Sequence, residues 1–545
     1  MSIADSTADV IVVGSGGAGL TAALAAAHAG ASVTVLEAHQ RWGGTTGMSG
    51  GAIWVPANHL MAEEGIDDSL DDARAYCRHH AWGRDGDLVE AYLRAGPSMV
   101  RFIEKHTPVE WAVMDYPDSL PETPGFRERG RHLEVRPLDV GDIGDTDGTV
   151  WTAPFPMVLT NDELFGGCVH GGTTVPVSLI GRRIAADEVT LGLGLVLGLI
   201  TGCRDAGIEM VNECRVVDLL RDADGRVTGV VAERRGERVT LTARHGVILA
   251  AGGFEHDSAL AARLVGGGDL DAPLSAPVSR GDGMRLAARA GAELVHLGEA
   301  WCMPTTPVEG RIWDDPDETS RPLMLMAERF LPHTLWVDRH GRRFVNEASH
   351  NVALALTEVD PNTHEPRHAP AWVLCDAQYR EAYVFAGVSP GGKLPRHVLV
   401  ADTLDELAEL IGVDAAELTR TVERFNGFVD EGRDADFGRG DSPYDRYNGD
   451  ARAPHPTLGR VDRAPYFAVA IHRGAIGTKG GPRTDGRARV LDWDGEPIPG
   501  LFAAGGNAAA IFGPGAIANG MHLGTAMVMG WLAGTVAAGA EPELA

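Results

Sequence analysis

A glycine-rich turn between an apolar strand and an alanine-rich helix constrains the fold of this chain most strongly. Residues 9–13 form a short apolar run, and the turn after them has Gly14, Gly16 and Gly19 at the spacing of a dinucleotide-binding βαβ unit. Gly14 permits the tight turn, Gly16 lets the main chain approach a diphosphate, and Gly19 allows close packing of helix and strands. We therefore predict an α/β fold of the doubly wound Rossmann type.

An acidic residue ends the second predicted strand of this unit. Glu37 follows the run Val33–Leu36, at the distance from Gly19 that places a carboxylate beside a ribose. It can accept hydrogen bonds from the ribose diol, and it would repel a 2′-phosphate, so FAD or NAD is expected. A lone glycine motif can also be an ordinary loop, but the strand, the helix and the terminal acid together favour the dinucleotide site.

Further glycine-rich segments favour FAD over NAD. Residues 41–56 combine glycines with small hydroxyl residues, which lets main-chain amides lie along an extended cofactor. Two more glycine clusters end predicted strands at residues 247–254 and 500–507, so both ends of the chain would hold one cofactor. The predicted cofactor-binding residues are Gly14, Gly16, Gly17, Ala18, Gly19, Glu37, Ala38, Gly43, Gly44, Thr45, Thr46, Met48, Ser49, Gly50, Gly51, Val216, Ala250, Ala251, Gly252, Gly506, Asn507 and Leu523.

Charge and cysteine usage exclude other classes of protein. The 48 basic and 76 acidic residues give a net charge of −28, which would repel nucleic acid and anionic lipid surfaces. The most apolar segment, residues 191–202, is too short to span a membrane and is expected to form a buried helix. Six scattered cysteines form no CxxC pair, so neither a metal site nor a disulfide framework is expected. The first residues do not read as a signal peptide, and a cytoplasmic location is expected.

Four further segments carry more specific motifs, at residues 43–56, 116–118, 341–347 and 477–501. Together they resemble the flavoprotein family of fumarate reductases and 3-ketosteroid dehydrogenases, and more closely the ketosteroid branch. The resemblance extends over nearly the whole chain and implies FAD. Attachment would be non-covalent, because no histidine lies between Thr45 and Gly51, where the covalent members carry theirs.

The resemblance also implies an architecture. An FAD-binding domain of the glutathione-reductase-like Rossmann type would be interrupted by an inserted α+β domain that caps the substrate. We place the FAD-binding parts at residues 1–275 and 456–545 and the insertion at 276–455. The segment 433–456 is rich in Asp, Gly, Arg and Pro, as expected of a surface connection.

In the ketosteroid branch a ring ketone is desaturated. One group removes a proton alpha to the carbonyl, flavin N5 accepts a hydride from the beta carbon, and hydrogen-bond donors hold the enolate oxygen. The resemblance assigns these roles to tyrosines and to a glycine amide. The substrate would be a small apolar cyclic ketone, and an external acceptor would reoxidise the cofactor.

Two of the tyrosines that this pattern requires are missing. The position four residues before Gly520 is Ala516, although Gly520 can still offer its N–H to a carbonyl. The tyrosine after the 341–347 motif is replaced by Asn351, whose amide is neither an acid nor a base near neutral pH. In fumarate reductases an arginine stands there, and a histidine expected within residues 298–304 is also absent, which argues against fumarate reduction.

Three residues remain as candidates for proton transfer: Tyr116, His522 and His350. Tyr116 lies in the segment that matches the active-site edge of the ketosteroid branch, and its alternative role is to pack its ring in a loop. His522 would lie near the flavin as a base, or would bond only to backbone or flavin. His350 adjoins Asn351 and could instead point to solvent.

The leading hypothesis is an FAD-dependent dehydrogenase for ketosteroids or smaller cyclohexanones. An apolar wall would support it, although such residues also form ordinary cores; its members are Trp54, Trp111, Trp301, Met303, Met324 and Met326. An ene-reductase would run the same hydride step backwards. A flavin-binding sensor that has lost the reaction is the alternative from another class, motivated by the missing tyrosines. A monooxygenase is disfavoured, since no second dinucleotide site is evident.

Overall fold

The computed structural model describes residues 6–80, 86–141, 149–166, 168–172, 175–266, 270, 272–308 and 322–544. Residues 309–321 of the predicted capping domain lie outside the described residues. The strands are β1 (Ser6–Val13), β2 (Val33–Leu36), β3 (Ile53–Trp54), β4 (Trp111–Val113), β5 (His132–Val135), β6 (Leu138–Asp139), β7 (Glu188–Val189), β8 (Glu209–Val211), β9 (Cys214–Arg221), β10 (Val227–Arg234), β11 (Glu237–Leu249), β12 (Leu294–Val295), β13 (Ala300–Thr306), β14 (Leu323–Met324), β15 (Thr334–Val337), β16 (Ala371–Asp376), β17 (Leu399–Ala401), β18 (Tyr466–Thr478), β19 (Gly481–Pro482), β20 (Arg489–Leu491) and β21 (Pro497–Ala503).

The helices alternate with these strands in the first part of the chain, and one long helix is the last element of the fold. They are α1 (Gly17–His28), α2 (Gly44–Met48), α3 (His59–Glu63), α4 (Leu70–His80), α5 (Gly86–His106), α6 (Asn161–Phe165), α7 (Val177–Ala185), α8 (Leu191–Asp205), α9 (Ser258–Leu264), α10 (Asp282–Arg289), α11 (Ala327–Phe330), α12 (Ala377–Ala382), α13 (Leu404–Ile411), α14 (Ala415–Glu431), α15 (Pro443–Tyr447) and α16 (Met521–Ala537). None of the helices in the described part of the chain is both long and apolar enough to cross a bilayer.

The larger sheet brings four chain segments to one edge. Strand β1 pairs in parallel with β2 and β11, and β11 pairs in parallel with β21. The last residue of β1, Val13, is in register with Leu36 and Leu249, and Leu249 is in register with Ala503. Since parallel strands share their carboxyl ends, the loops after these strands meet there, which is where open α/β sheets bind ligands.

Both faces of this sheet are covered. Val10 and Val12 face the larger core, to which α1, α5, α8 and α16 contribute, whereas Ile11 and Val13 face a second core that includes α10. Burial on both sides explains why β1 is a continuous apolar run rather than an alternating one.

The last helix packs closely on the first because of two glycines. A Cβ on Gly530 would lie 2.4 Å from the carbonyl oxygen of Ala18, and one on Gly534 would lie 2.0 Å from that of Ala22. Only glycine allows this approach between backbones. The beginning of α16 is thereby held beside the β1–α1 turn.

A second, antiparallel sheet forms the cap. Its strand order is β14-β13-β18-β16-β15, with β17 also paired to β18. Helices α13 and α14 cover one face through residues such as Leu407, Leu418 and Val422. The predicted fold class, an α/β domain with an α+β cap, is confirmed by these two sheets. The division into residues 1–275, 276–455 and 456–545 stays a prediction; β18 of the cap sheet begins at Tyr466.

Residues 433–456 are not the plain surface connection that their composition indicates. Arg439 is fully buried, and Asp434 and Asp445 are 1 and 2 % exposed. The buried charges have partners within the fold: Arg343 pairs with both Glu347 and Asp434, and Arg439 donates to the carbonyl oxygens of Thr334 and Leu331. The surface prediction is therefore wrong for these residues, since charged groups can be buried when they are paired.

Candidate active site

The β1–α1 turn has the shape that a diphosphate requires. Gly14 has a φ of +107°, and a Cβ there would lie 2.4 Å from the carbonyl oxygen of Ala250. A Cβ on Gly19 would lie 2.0 Å from the carbonyl oxygen of Gly14. At Gly16, by contrast, the nearest atom to a Cβ is 3.8 Å away, so the outer side of the turn is open. The start of α1 faces this open side, where its N–H groups favour an anion.

The adenosine end of the predicted site is built around Glu37. Its side chain is buried, and it accepts hydrogen bonds from the main-chain N–H of Ser15 (3.1 Å) and of His39 (3.0 Å). Burial raises the pKa of Glu37, and the hydrogen bonds from Ser15 and His39 oppose that rise. The carbonyl oxygen of Glu37 accepts from Cys214, which brings the start of β9, with Val216, beside Glu37 and Ala38.

The second glycine-rich segment lies against the first. Thr46 Oγ1 accepts a hydrogen bond from the N–H of Gly17 (3.0 Å), and Ser15 Oγ accepts one from Gly43 (3.1 Å). Thr45 Oγ1 accepts from the N–H of Ala276 (3.0 Å). The predicted residues Gly44, Met48, Ser49, Gly50 and Gly51 continue this segment through α2 and the loop after it.

The loops after β11 and β21 meet at the opposite end of the site. The side-chain oxygen of Asn507 accepts from the N–H of Ala251 (3.3 Å), and Gly506 lies against Gly252. Leu523 of α16 is close to Gly17, because a Cβ on Gly17 would lie 2.9 Å from its Cδ1. A cavity at this end is lined by Trp301, Thr478, residues 505–506 and 508–512, and residues of α16 that include His522.

Two buried polar atoms in this region have no hydrogen-bond partner among the described residues. They are Asn507 Nδ2 and Trp301 Nε1. Buried donors left unpaired are costly, so they point to a polar ligand. Together with the open turn at Gly16 and the acceptor Glu37, these donors fit a dinucleotide that carries a polar ring system, as FAD does.

His522 lies in the first turn of α16 within a stack of three side chains. Its ring is 5.7 Å from that of Trp301, and Lys479 Nζ is 3.8 Å from the Trp301 ring centre. Burial, with the charge of Lys479 as a second cause, lowers the pKa of His522 to about 4. The imidazole is therefore neutral at physiological pH and is a weaker base than an ordinary histidine.

Gly520 immediately precedes α16, and the backbone at this position requires a glycine. Its φ is +70°, and a Cβ would lie 2.7 Å from the carbonyl oxygen of Ala52. Its N–H donates to the side-chain oxygen of Asn519 (3.1 Å).

Asn351 joins the cap to the segment before α16. Its Nδ2 donates to the carbonyl oxygen of Ala516 (2.8 Å), and its Oδ1 accepts from the N–H of Ala516 (2.7 Å). A Cβ on Gly515 would lie 2.9 Å from the same amide group. The side chain of Asn351 therefore fixes the backbone of the loop around Ala516.

Tyr116 and His350 are brought together by a residue that the sequence did not indicate, Tyr444. Tyr116 is 2 % exposed, and its hydroxyl donates to Asn448 Oδ1 (3.2 Å). Its ring is 5.8 Å from that of Tyr444, whose hydroxyl lies 2.9 Å from His350 Nδ1. Burial, with the charge of Arg329 as a second cause, lowers the pKa of His350 to about 3, so this imidazole is also neutral. His522, in contrast, stacks on Trp301, whose ring also lies beside Lys479.

The predicted apolar wall is divided between several environments. Trp54, Trp111 and Trp301 belong to the large core, and Met326 packs against the buried cluster that includes Tyr116. Met303 and Met324 lie on β13 and β14 of the cap sheet. Among the described residues, no group of histidine, cysteine and acidic side chains could hold a metal ion.

Comparison with known proteins agrees with this geometry. The model of the FAD binding domain family matches residues 9–523. The chain belongs to the FAD binding domain family. Its cofactor is therefore FAD, as predicted.

Members of this family with similar sequences cover nearly the whole chain. A 4-oxocyclohexanecarboxylate 2-dehydrogenase of Sinomonas cyclohexanicum is 39 % identical over 98 % of this chain and 93 % of its own. A 3-oxosteroid 1-dehydrogenase of Mycolicibacterium smegmatis is 36 % identical over 96 % of each chain. The solved structure of 3-ketosteroid delta1-dehydrogenase from Sterolibacterium denitrificans superposes with a TM-score of 0.90 at 31 % identity and covers 98 % of this chain and 99 % of that one. The predicted resemblance to the ketosteroid branch is thereby confirmed.

Proposed function

We propose that this protein is an FAD-dependent dehydrogenase that introduces a double bond next to the carbonyl of a cyclic ketone. The observation that carries the proposal is the full-length similarity to two dehydrogenases whose names specify cyclic ketones, a 3-oxosteroid and a 4-oxocyclohexanecarboxylate. When bound, FAD supplies the acceptor for the hydride that leaves the beta carbon.

The protein groups around the cavity supply the rest of the reaction. We assign the substrate carbonyl to the N–H of Gly520, which stands just before α16 and donates to the side chain of the preceding residue. Such a donor stabilises the negative charge that develops on the oxygen when the alpha proton leaves. The amides of the first turn of α16 favour negative charge at the same end of the site.

We assign removal of the alpha proton to Tyr116. Its ring lies 5.8 Å from that of Tyr444, and it belongs to the same buried cluster as Ala52, whose carbonyl oxygen adjoins Gly520. Asn351 cannot take this role, because its amide is bonded to Ala516 and does not titrate. The neutral His522 would orient the cofactor and substrate rather than serve as the principal base.

We further propose that an external acceptor removes the electrons and that the protein is cytoplasmic. The six cysteines are free thiols, five of them buried, as is usual in a reducing compartment. No second dinucleotide site is needed for this reaction.

Anaerobic mixing of the FAD-loaded protein with a panel of 3-ketosteroids, 4-oxocyclohexanecarboxylate and simple cyclohexanones tests the proposal. Loss of the visible flavin absorbance with one class is expected, and it identifies the substrate. If no ketone bleaches the flavin but an enone reoxidises the chemically reduced protein, the direction is that of an ene-reductase. If neither occurs, the proposed substrate class is wrong.

A further inference from the structure

The indole N–H of Trp301 is a buried donor without a partner in the part of the chain that the structure describes. Trp301 is 7 % exposed, and its Nε1 forms no hydrogen bond to any described residue. A buried donor that is left unpaired costs free energy, so this atom points to a ligand. The ring lines the cavity together with Met521 and His522, the two residues that follow Gly520.

The Trp301 ring is held in place by the strand opposite and by His522. Strand β18 has one extra residue, Ile476, opposite the step from Trp301 to Cys302, and such a bulge re-aims the side chains around it. Gly477 is in register with Trp301, and a Cβ on Gly477 would lie 3.0 Å from His522 Cε1. The glycine therefore leaves room for the two stacked rings, whose centres are 5.7 Å apart.

A buried cation lies against the same ring. Lys479 Nζ is 3.8 Å from the ring centre of Trp301, and the lysine side chain is 1 % exposed. Nζ also donates to the carbonyl oxygen of Pro514 and lies 3.7 Å from a carboxylate oxygen of Glu299, which offsets part of the charge. A cation over the face of an indole attracts its electron density, so the N–H at the ring edge becomes a stronger donor.

The contact with Lys479 also places Trp301 beside the segment that carries Gly520. Pro514, which accepts from Lys479, lies six residues before Gly520 in this segment. Phe512 and Met521, at the two ends of the segment, line the cavity with Trp301. The indole and the segment that carries Gly520 therefore border one space.

Two hydroxyl groups that line this space are already in use. Thr478 Oγ1 donates to the carboxylate of Glu255 (3.3 Å), and Thr525 Oγ1 donates to the carbonyl oxygen of His522 (3.0 Å). Neither threonine has a hydroxyl proton left for a ligand while these bonds persist. The Trp301 N–H needs no such exchange.

The two unpaired donors of the site belong to different parts of the fold. Asn507 follows β21, and its side-chain oxygen accepts from Ala251 in the loop after β11. Trp301 lies on β13 of the cap sheet. Cofactor loops thus surround the Asn507 amide, whereas the cap carries the Trp301 indole to the cavity.

We propose that the indole N–H of Trp301 holds the substrate oxygen together with the N–H of Gly520. This inference rests on the proposed function. When the alpha proton leaves, the electron pair of the C–H bond stays on the substrate and negative charge develops on the oxygen, which can accept two hydrogen bonds. Trp301 donates one of these bonds and keeps its proton, so it stabilises the enolate and takes no part in proton removal.

Trp301→Phe removes the N–H and keeps an aromatic ring, and Trp336→Phe is the matched control. Trp336 is fully buried on β15 of the same sheet, and its Nε1 is also unpaired among the described residues, but it packs in the core of the cap. Both variants should bind FAD as tightly as the wild type, because neither N–H is assigned to the cofactor.

Phenols of increasing acidity are the first probe, since a phenol oxygen carries negative charge as an enolate oxygen does. Their binding to the oxidised, FAD-loaded protein is followed by flavin absorbance and needs no turnover. The wild type and W336F should bind the more acidic phenols more tightly. W301F should bind the most acidic ones roughly 10- to 100-fold more weakly than the wild type, the loss expected for a hydrogen bond to a charged group.

Anaerobic flavin reduction by the ketone substrate is the second readout. W301F should reduce its flavin about 10²- to 10³-fold more slowly than the wild type, the usual effect of removing one donor to a developing oxyanion. The dissociation constant of the ketone should change much less, because the neutral carbonyl is the weaker acceptor. W336F should behave as the wild type in both respects.

An isosteric replacement separates the N–H from the shape of the ring. Replacement of Trp301 by benzothienylalanine keeps the fused ring and puts sulfur in place of the N–H, so it should reproduce the losses of W301F. The proposal is overturned if W301F or this isostere binds the phenols as the wild type does, or if W301F loses affinity for FAD instead. If no ketone reduces the flavin of the wild type, the proposed function fails, and the phenol titration alone still decides whether the indole N–H holds an anionic oxygen.

Discussion

Asn351 and Ala516, the two positions at which the ketosteroid pattern has tyrosines, are bonded directly to each other. The amide of Asn351 donates to the carbonyl oxygen of Ala516 at 2.8 Å and accepts from its N–H at 2.7 Å. Both positions lie at one junction, where the cap meets the segment before α16. The amide at one of these positions therefore fixes the backbone of the other.

This pairing predicts that Asn351→Ala lowers stability more than catalysis. Loss of two hydrogen bonds should reduce the free energy of unfolding by about 2 kcal/mol, at about 1 kcal/mol for each bond. The pH dependence of flavin reduction should be unchanged, since an amide does not titrate. Thermal unfolding and a pH series of reduction rates measure the two effects. A stable N351A protein that is hundredfold slower would show instead that Asn351 touches the reacting atoms.

Buried His132 makes stability depend on pH. It is 1 % exposed, and burial, as the main cause, lowers its pKa to about 3. Below about pH 6.5 the unfolded chain therefore binds a proton at this histidine that the folded chain does not bind. The free energy of unfolding is highest above that pH and decreases as the pH falls towards 3. Between pH 7 and 5 the wild type should lose about 2 kcal/mol more than His132→Gln. Equal losses in denaturant titrations at the two pH values would refute this assignment.

The β1–α1 turn should not tolerate a methyl group at Gly19. A Cβ there would meet the carbonyl oxygen of Gly14 at 2.0 Å, so Gly19→Ala must open the turn and should yield protein without FAD. Gly427 is the control, because it is also a helical glycine but no atom lies within 4 Å of a Cβ. Gly427→Ala should retain FAD and gain up to about 1 kcal/mol in stability. The ratio of flavin to protein absorbance after purification reports both results, and a yellow G19A protein would contradict the account.

Glu37 should contribute to FAD affinity through its charge. A hydrogen bond to a charged group contributes about 1.5–3 kcal/mol, so Glu37→Gln should raise the dissociation constant of FAD roughly 10- to 100-fold. Glu209→Gln removes the same charge from the neighbouring strand β8, where Glu209 contacts Thr34, and should have no effect. Equilibrium ultrafiltration gives both constants. If E37Q binds FAD as tightly as the wild type, Glu37 only holds Ser15 and His39.

The cofactor half of the site could be predicted from the sequence, because its constraints are local. Gly14 is required by its φ of +107° and Gly19 by its close approach to the carbonyl oxygen of Gly14, and such requirements within one turn leave a readable spacing. Asn507 and Leu523 could be added because the resemblance extends to the end of the chain. The edge at which these segments meet follows from parallel pairing, which places strand ends together.

The proton-transfer half could not be predicted in the same way. Tyr116 contacts Asn448 across 332 residues of sequence, and no periodic pattern reports such a contact. Tyr444 lies in a segment whose polar composition indicates solvent exposure. Its burial depends on distant ion pairs, such as that of Arg343 with Asp434, that only the folded chain brings together.

The most direct test of the central claim is a single anaerobic turnover with product analysis. The FAD-loaded protein is mixed with an equal amount of the ketone that bleaches its flavin, and the organic product is identified by mass spectrometry and NMR. We expect one enone, two hydrogen atoms lighter than the ketone and unsaturated next to the carbonyl, for each flavin reduced. An alcohol, a hydroxylated product or unchanged ketone would contradict the assignment as a cyclic-ketone dehydrogenase.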